Sequence, residues 1–141
     1  MTRKRFLTIA SFVALAVGAL GVVLPGFFLE SKGVAPNAAA SMWLREVGVV
    51  LVAAGVTAFL VRGHGDSPTL QAILIGNLVV QVGLFPIELI AYANGTITRV
   101  SGIVPNTALH VVLASGFAYY LATMKGKPST SRPIAAPSAG Q

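Results

Sequence analysis

The chain has 141 residues, of which 55% are hydrophobic and only 10% are charged, and its mean hydropathy is +0.79. An ordinary soluble domain carries about 25% charged residues, so this composition excludes one and predicts an integral membrane protein in contact with the lipid bilayer. The net charge is +6, but the Lys and Arg residues are scattered or terminal, and we therefore expect no nucleic-acid partner. The absence of Cys excludes disulfides and thiol chemistry.

The first predicted membrane span covers about residues 6–29 and follows a basic N-terminus. About 20 apolar residues cross the hydrocarbon core. A cleaved signal peptide is the alternative, because residues 38–40 are alanines, but the apolar run exceeds the length of about 7–15 residues that is typical of such peptides. Ala10, Ala14 and Gly18 recur at every fourth position, which is typical of close helix contacts in membranes or simply of an alanine-rich helix.

Further apolar segments predict a second, a third and a fourth span, at about residues 41–61, 68–93 and 103–124. Pro86 lies inside the third span and is expected to kink it. The remaining residues, 125–141, are rich in Pro, Ser and Ala, and we predict a disordered cytoplasmic tail.

These segments predict an all-α fold: a polytopic membrane protein that forms a four-helix transmembrane bundle over residues 1–124. Most Lys and Arg residues lie in the N-terminus, the second loop and the tail, whereas the other two loops hold only Lys32 and Arg99. Because basic loops stay in the cytoplasm, both termini are predicted to be cytoplasmic. The Ala-, Gly- and Val-rich composition favours a bacterial plasma membrane.

Polar side chains interrupt the third span. At about 100° per residue, Asn77, Gln81, Leu84 and Glu88 fall on one narrow stripe of the helix. A charge at the bilayer centre costs about 2.5–3.5 kcal/mol, so we expect this stripe to face other helices rather than lipid.

Other polar residues lie at a similar predicted depth, namely Arg45 and Glu46 in the second span and Asn106 and His110 in the fourth. Together with Glu88 they predict a polar pocket that opens toward the outer surface. Simpler interpretations stay open for each residue. Arg45 and Glu46 could extend to the interface, Arg45 could form a structural ion pair with Glu88, and the histidine and amides could serve only helix packing.

If the pocket is chemically active, Glu88 and His110 are the candidate catalytic pair, since they could exchange protons near neutral pH. An apolar pocket with such a pair suits the isomerisation or cyclisation of a small lipophilic, isoprenoid-like molecule. The candidate binding residues are Arg45, Glu46, Asn77, Gln81 and Asn106. The sequence predicts no cofactor and no metal site, because it offers no set of three ligands and places His64 and His110 on opposite sides of the membrane.

The opening of the second span, with Leu44, Arg45, Glu46 and Gly48 followed by Gly55, resembles the DoxX-like group of small bacterial four-helix membrane proteins. The resemblance implies a four-helix bundle. Some members are accessory subunits of respiratory or redox complexes. Membrane-embedded isoprenoid cyclases and sterol isomerases also look similar, in placing acidic residues or histidine inside a bundle, but no motif of theirs is matched.

Three hypotheses about function therefore stay open. The first is a binding or catalytic pocket for a lipophilic molecule. The second is a non-catalytic accessory subunit whose polar stripe contacts helices of a homo-oligomer or a larger membrane complex. The third is a transporter or channel, which is least favoured because polar residues become sparse toward the cytoplasmic half of the second and fourth spans.

Overall fold

The computed structural model describes residues 1–124, and this part of the chain folds into helices without strands. The helices are α1 (Arg3–Val23), α2 (Pro25–Ser31), α3 (Ala38–Val61), α4 (Pro68–Ala93) and α5 (Val100–Ala122). All except α2 are long and apolar enough to cross a membrane, which makes the chain a multi-pass membrane protein. The predicted disordered tail lies outside the described residues.

The first apolar segment forms two helices instead of the single predicted span. The helix α1 ends at Val23, and α2 begins at Pro25. Proline has no N–H and disfavours the helical conformation of the preceding residue, so Leu24 leaves the helix, with φ −126° and ψ 55°. The helix is interrupted here, and Lys32, which directly follows α2, reaches Glu88 of α4 with its side chain.

The starts of α3 and α4 depend on side-chain caps. Asn37 accepts a hydrogen bond of 2.8 Å from the Ala40 N–H, and α3 therefore begins at residue 38 rather than at the predicted residue 41. Ser67 accepts from the Leu70 N–H at 3.2 Å, with Pro68 at the first position of α4.

Glycines set the contact between α1 and α3. A Cβ atom added to Gly18 would lie 2.7 Å from the carbonyl oxygen of Gly48, and one added to Gly48 would lie 2.7 Å from the carbonyl oxygen of Gly18. Gly55 lies similarly close to the Ser11 carbonyl, at 3.0 Å. Because these positions lack side chains, the two backbones pack directly against each other along the pair.

We call the end of the molecule that holds the N-terminus the Met1 end. Here the Arg3 guanidinium pairs with Asp66, and the Tyr120 hydroxyl donates to the Met1 carbonyl at 2.7 Å. The hydrophobic core lies at this end and joins α1, α3, α4 and α5 through Phe6, Leu7, Ala10, Val61, Leu70, Leu74, Leu113 and Phe117. The α1–α3 pair and the α4–α5 pair therefore meet tightly at the Met1 end.

The opposite end, which we call the Lys32 end, is closed by two loops that dock against each other. The N–H groups of Thr98 and Arg99 donate to the Lys32 carbonyl at 3.1 and 3.2 Å, and the Thr98 hydroxyl donates to the Gly33 carbonyl at 2.9 Å. Gly33 has a φ of +75°, and a Cβ atom there would clash with the Thr98 hydroxyl oxygen. These contacts fix the backbone of Lys32 beside α4 and α5.

Candidate functional site

A cavity of about 210 Å³ lies between the two helix pairs toward the Lys32 end. All five helices contribute to its walls. Most of the lining is apolar, from side chains such as Val17, Leu51, Leu84 and Leu109. The polar side chains of the lining are Lys32, Gln81, Glu88, Asn106 and His110. An apolar cavity with a few convergent polar groups is the usual form of a small-molecule site.

The polar stripe of α4 faces the inside of the molecule. Asn77 and Gln81 are 9% and 8% exposed, and the Glu88 side chain is 16% exposed, whereas Val79 and Val82 on the outer side of α4 are 64% and 57% exposed. The spacing of three and four residues places the polar groups on one face of the helix. The same spacing leaves an apolar face for lipid.

Glu88 forms a largely buried ion pair with Lys32. The Glu88 side chain is 16% exposed, and the Lys32 side chain is 10% exposed. Its Oε1 atom accepts from the Lys32 ammonium and also from the Asn106 side-chain amide, at 2.6 Å from Nδ2. The docked loops hold the Lys32 backbone in place, so the fold itself brings the cation to the carboxylate. A buried charge requires such a partner.

His110 joins the same network through both ring nitrogens. Its Nδ1 lies 2.7 Å from the Gln81 Oε1, and its Nε2 lies 3.2 Å from the Asn106 Nδ2. Since a carbonyl oxygen only accepts hydrogen bonds, the pattern assigns the proton to Nδ1 and leaves Nε2 as the acceptor. The two N–H bonds of the Asn106 amide then donate to Glu88 and to His110, and the His110 ring is neutral.

The second oxygen of the Glu88 carboxylate has no such partner. Oε2 is buried and receives no hydrogen bond from residues 1–124, and it lies 3.9 Å from the His110 Nε2, too far for one. An unsatisfied buried acceptor costs about 1–3 kcal/mol, and more when it is charged. Because Oε2 has almost no accessible surface, this cost reduces the stability of the fold.

Three of the predicted site residues lie outside this network. Asn77 is buried but donates to the Ile73 carbonyl of its own helix at 2.9 Å. Arg45 and Glu46 are exposed on α3, and the Arg45 Nε donates to the Val22 carbonyl at 3.3 Å. That carbonyl is in the last turn of α1, where cations are favoured. The ion pair considered between Arg45 and Glu88 is therefore not formed, and Lys32 is the cation beside Glu88.

The sequence predicts Lys32 only as a loop residue. One signal for its role was present, because Lys32 and Arg99 are the only cations of the two loops at this end, and Glu88 requires a cation. The break at Pro25 was the second signal, since a helix that restarts after a proline can turn back toward the other helices. The docking of Lys32 on the α4–α5 loop depends on tertiary contacts and has no signature in the sequence.

Within the described part of the chain, no three His, Asp or Glu side chains are grouped closely enough to hold a metal ion. Comparisons with protein-family models, with curated proteins and with solved structures found no match to this chain. The DoxX-like resemblance stays a prediction, and the site has to be interpreted from its own geometry.

Proposed function

We propose that this protein binds a small lipophilic molecule in the cavity between its two helix pairs, with the polar end of that molecule against Glu88. The observation that carries the proposal is the cavity itself, whose walls are apolar except for the Lys32–Glu88 ion pair and the polar side chains bonded to it. A molecule with a polar head and a hydrocarbon body matches such a lining. The apolar walls of the cavity favour a hydrophobic group on the rest of the bound molecule.

Acid–base conversion of the bound molecule is the second candidate, because Glu88 and His110 both line the cavity and their Oε2 and Nε2 atoms lie 3.9 Å apart. The ion pair with Lys32 requires an ionised Glu88, which suits it to accept a proton rather than to donate one. This favours isomerisation, in which the carboxylate removes a proton and returns it at another position, over a cyclisation that starts with protonation.

The orientation forms part of the proposal. With both termini in the cytoplasm, as the distribution of Lys and Arg favours, the Lys32 end lies at the outer side of the membrane. The cavity is then within reach of molecules in the outer leaflet. The lateral boundary between the α1–α3 pair and the α4–α5 pair offers an entrance from lipid.

A photoreactive probe tests the proposal. We expect a diazirine analogue of 1-octanol, added to the protein in lipid nanodiscs, to label cavity residues such as Leu84 and Leu109. Ala14 lines the cavity on α1, and an Ala14→Phe variant should fill it and reduce this labelling about tenfold. Peptide mass spectrometry of the labelled protein locates and quantifies the modification.

Ala16 provides the matched control, because it lies on the same helix but is exposed. An Ala16→Phe variant adds the same side chain toward lipid and should leave the cavity labelling unchanged. Labelling confined to lipid-facing residues, or equal labelling of the wild type and both variants, would overturn the proposal. Size-exclusion profiles of the variants verify that each remains folded.

A further inference from the structure

We infer that this protein forms a homodimer through the exposed face of α3, in which Arg45 and Glu46 of each copy pair with Glu46 and Arg45 of the other. The surface lies away from the cavity, and the inference does not depend on the proposed function. It follows from the depth of these two side chains in the membrane, from their lack of partners within one chain, and from the charge complementarity of two copies.

Glu46 lies within the hydrocarbon region although it is exposed. Residues 47–61 contain no charged side chain, and at 1.5 Å per residue the helix rises about 24 Å from Glu46 to Arg62. The hydrocarbon core is about 30 Å thick, so with Arg62 at one boundary Glu46 lies about 6 Å inside the other. Trp43 indicates a similar depth, because tryptophan favours the interface and Glu46 follows it by about one helical turn. In a monomer this carboxylate would face lipid, which is unfavourable.

Within one chain, Arg45 and Glu46 leave hydrogen-bonding groups unused. The Glu46 carboxylate forms no ion pair with residues 1–124. Arg45 uses only its Nε, which donates to the Val22 carbonyl at 3.3 Å, and its two terminal amino groups have no partner in the same part of the chain. Adjacent positions on a helix do not face each other, so the two side chains do not satisfy one another. An exposed guanidinium and an exposed carboxylate therefore lie side by side on α3, each without an opposite charge.

The exposed face of α3 suits a second copy of the same helix. Its exposed residues follow an alternating spacing of four and three, namely Met42, Glu46, Val49, Ala53, Val56 and Leu60. Two helices that supercoil around each other meet along a seam with this spacing. Ala53 lies near the middle of the seam, and its small side chain allows the two backbones to approach closely.

The membrane determines how two copies meet. All copies insert with the same orientation, so two α3 helices related by a twofold axis along the membrane normal are parallel, and each residue lies at the same depth in both. Glu46 on the seam of one copy then lies beside Arg45 of the other, because Arg45 flanks the seam, and the symmetry repeats this pair. Two ion pairs thereby replace four charged groups that would otherwise face lipid.

Disulfide formation tests which surface is used, because the chain has no cysteine of its own. An Ala53→Cys variant in liposomes should form an intermolecular disulfide on mild oxidation, since the twofold axis brings the two copies of this position together. Gly76→Cys on α4 is the matched control, because Gly76 is exposed at a similar depth and has free space for a side chain. We expect at least about tenfold less crosslinking there, since a disulfide forms only between closely spaced positions. Equal or preferential crosslinking of Gly76→Cys, or crosslinking of neither variant, would overturn the proposal.

Complementary charge changes test the ion pairs. Arg45→Glu gives each copy two adjacent carboxylates, and Glu46→Arg gives each copy two adjacent guanidiniums. Each variant alone should dimerise at least about tenfold more weakly than the wild type, because like charges then meet across the seam. A mixture of the two variants should form a mixed dimer about as stable as that of the wild type. Energy transfer between dyes attached at Gly63→Cys, in the exposed loop after α3, measures these affinities in liposomes.

A milder substitution keeps the test decisive if the charge-reversed variants fail to insert. Glu46→Gln removes the charge with little change of shape and should weaken dimerisation about threefold or more. Glu30→Gln changes an exposed carboxylate on α2 and should leave dimerisation unchanged. Size-exclusion profiles verify that each variant remains folded. A wild type that stays monomeric at every protein-to-lipid ratio, or a dimer that Glu46→Gln does not weaken, would overturn the proposal.

Discussion

The two ends of the molecule each contain an ion pair, yet the surroundings of the two pairs differ. At the Met1 end, the side chains of Arg3 and Asp66 are 24% and 28% exposed beside a closely packed apolar core. At the Lys32 end, the pair of Lys32 and Glu88 is more deeply buried and borders a cavity. The packing that stabilises the helices is therefore concentrated at the Met1 end, and the groups that can bind a ligand are concentrated at the Lys32 end.

Stability is expected to follow this division. At the Met1 end, the apolar core joins the two helix pairs without polar groups, so its contribution depends on shape. The Lys32 end instead retains a cavity and a buried acceptor without a donor, both of which reduce stability. Substitutions that alter one end at a time can test this comparison.

The largest effect is expected at the buried ion pair. Lys32→Met or Glu88→Gln alone should lower the free energy of unfolding by about 3–5 kcal/mol, because each leaves the other charge buried without its partner. The Lys32→Met/Glu88→Gln double variant should be less destabilised than either single variant. Steric trapping in bicelles measures these values, and additive effects of the two substitutions would show that the charges do not interact.

Shortening leucines should distinguish the packed end from the cavity. Leu7 is fully buried in the core at the Met1 end, whereas Leu84 borders the cavity. Leucine-to-alanine changes in soluble cores cost about 2–5 kcal/mol, and the hydrophobic part of this cost is reduced in lipid. We expect a loss of about 2–3 kcal/mol for Leu7→Ala and about 1 kcal/mol or less for Leu84→Ala. Equal losses in chemical denaturation would contradict the division.

The helix contact between α1 and α3 should respond to a single methyl group. In Gly48→Ala the new Cβ would lie 2.7 Å from the Gly18 carbonyl oxygen, and we expect a loss of about 1–3 kcal/mol from overpacking. Gly76→Ala on α4 is the matched control, because nothing lies within 4 Å of the added atom. This control should be neutral or slightly stabilising, since alanine favours helices. Thermal unfolding in detergent compares the two, and a more damaging Gly76→Ala would show that the tight contact lies elsewhere.

The smallest effect is expected for the ion pair at the Met1 end. Asp66→Asn should lower the free energy of unfolding by about 1 kcal/mol or less, because partly exposed pairs are screened by solvent and salt. Raising the salt concentration should reduce the difference from the wild type further. Denaturation curves at two salt concentrations measure both quantities. A loss as large as that of Glu88→Gln would remove the distinction between the two ends.

Much of the fold could be predicted from the sequence, because hydropathy and helix-terminating residues are local signals. The start of α4 follows from Ser67 and Pro68, and the inward orientation of Gln81 and Glu88 follows from their spacing on one helix. The sequence predicts too late an end for α1, because the apolar residues continue past Pro25 and the hydropathy signal outweighs a single proline.

The candidate site could be predicted only in part. The proximity of Glu88, Asn106 and His110 could be predicted, since each lies at a similar depth on neighbouring helices. The role of Lys32 depends on a loop that docks through Thr98 and Gly33, and the orientation of Arg45 depends on a free carbonyl of α1. Contacts of this kind arise between distant segments, so local sequence patterns do not reveal them.

An experimental structure determined from bicelle crystals in the presence of 1-octanol can decide whether the cavity binds a lipophilic molecule. We predict density for the alcohol between the two helix pairs, with its hydrocarbon part against the apolar walls and its oxygen toward the polar lining residues. Octanol found only on the lipid-facing surface, or a cavity closed by its own side chains, would contradict the proposal.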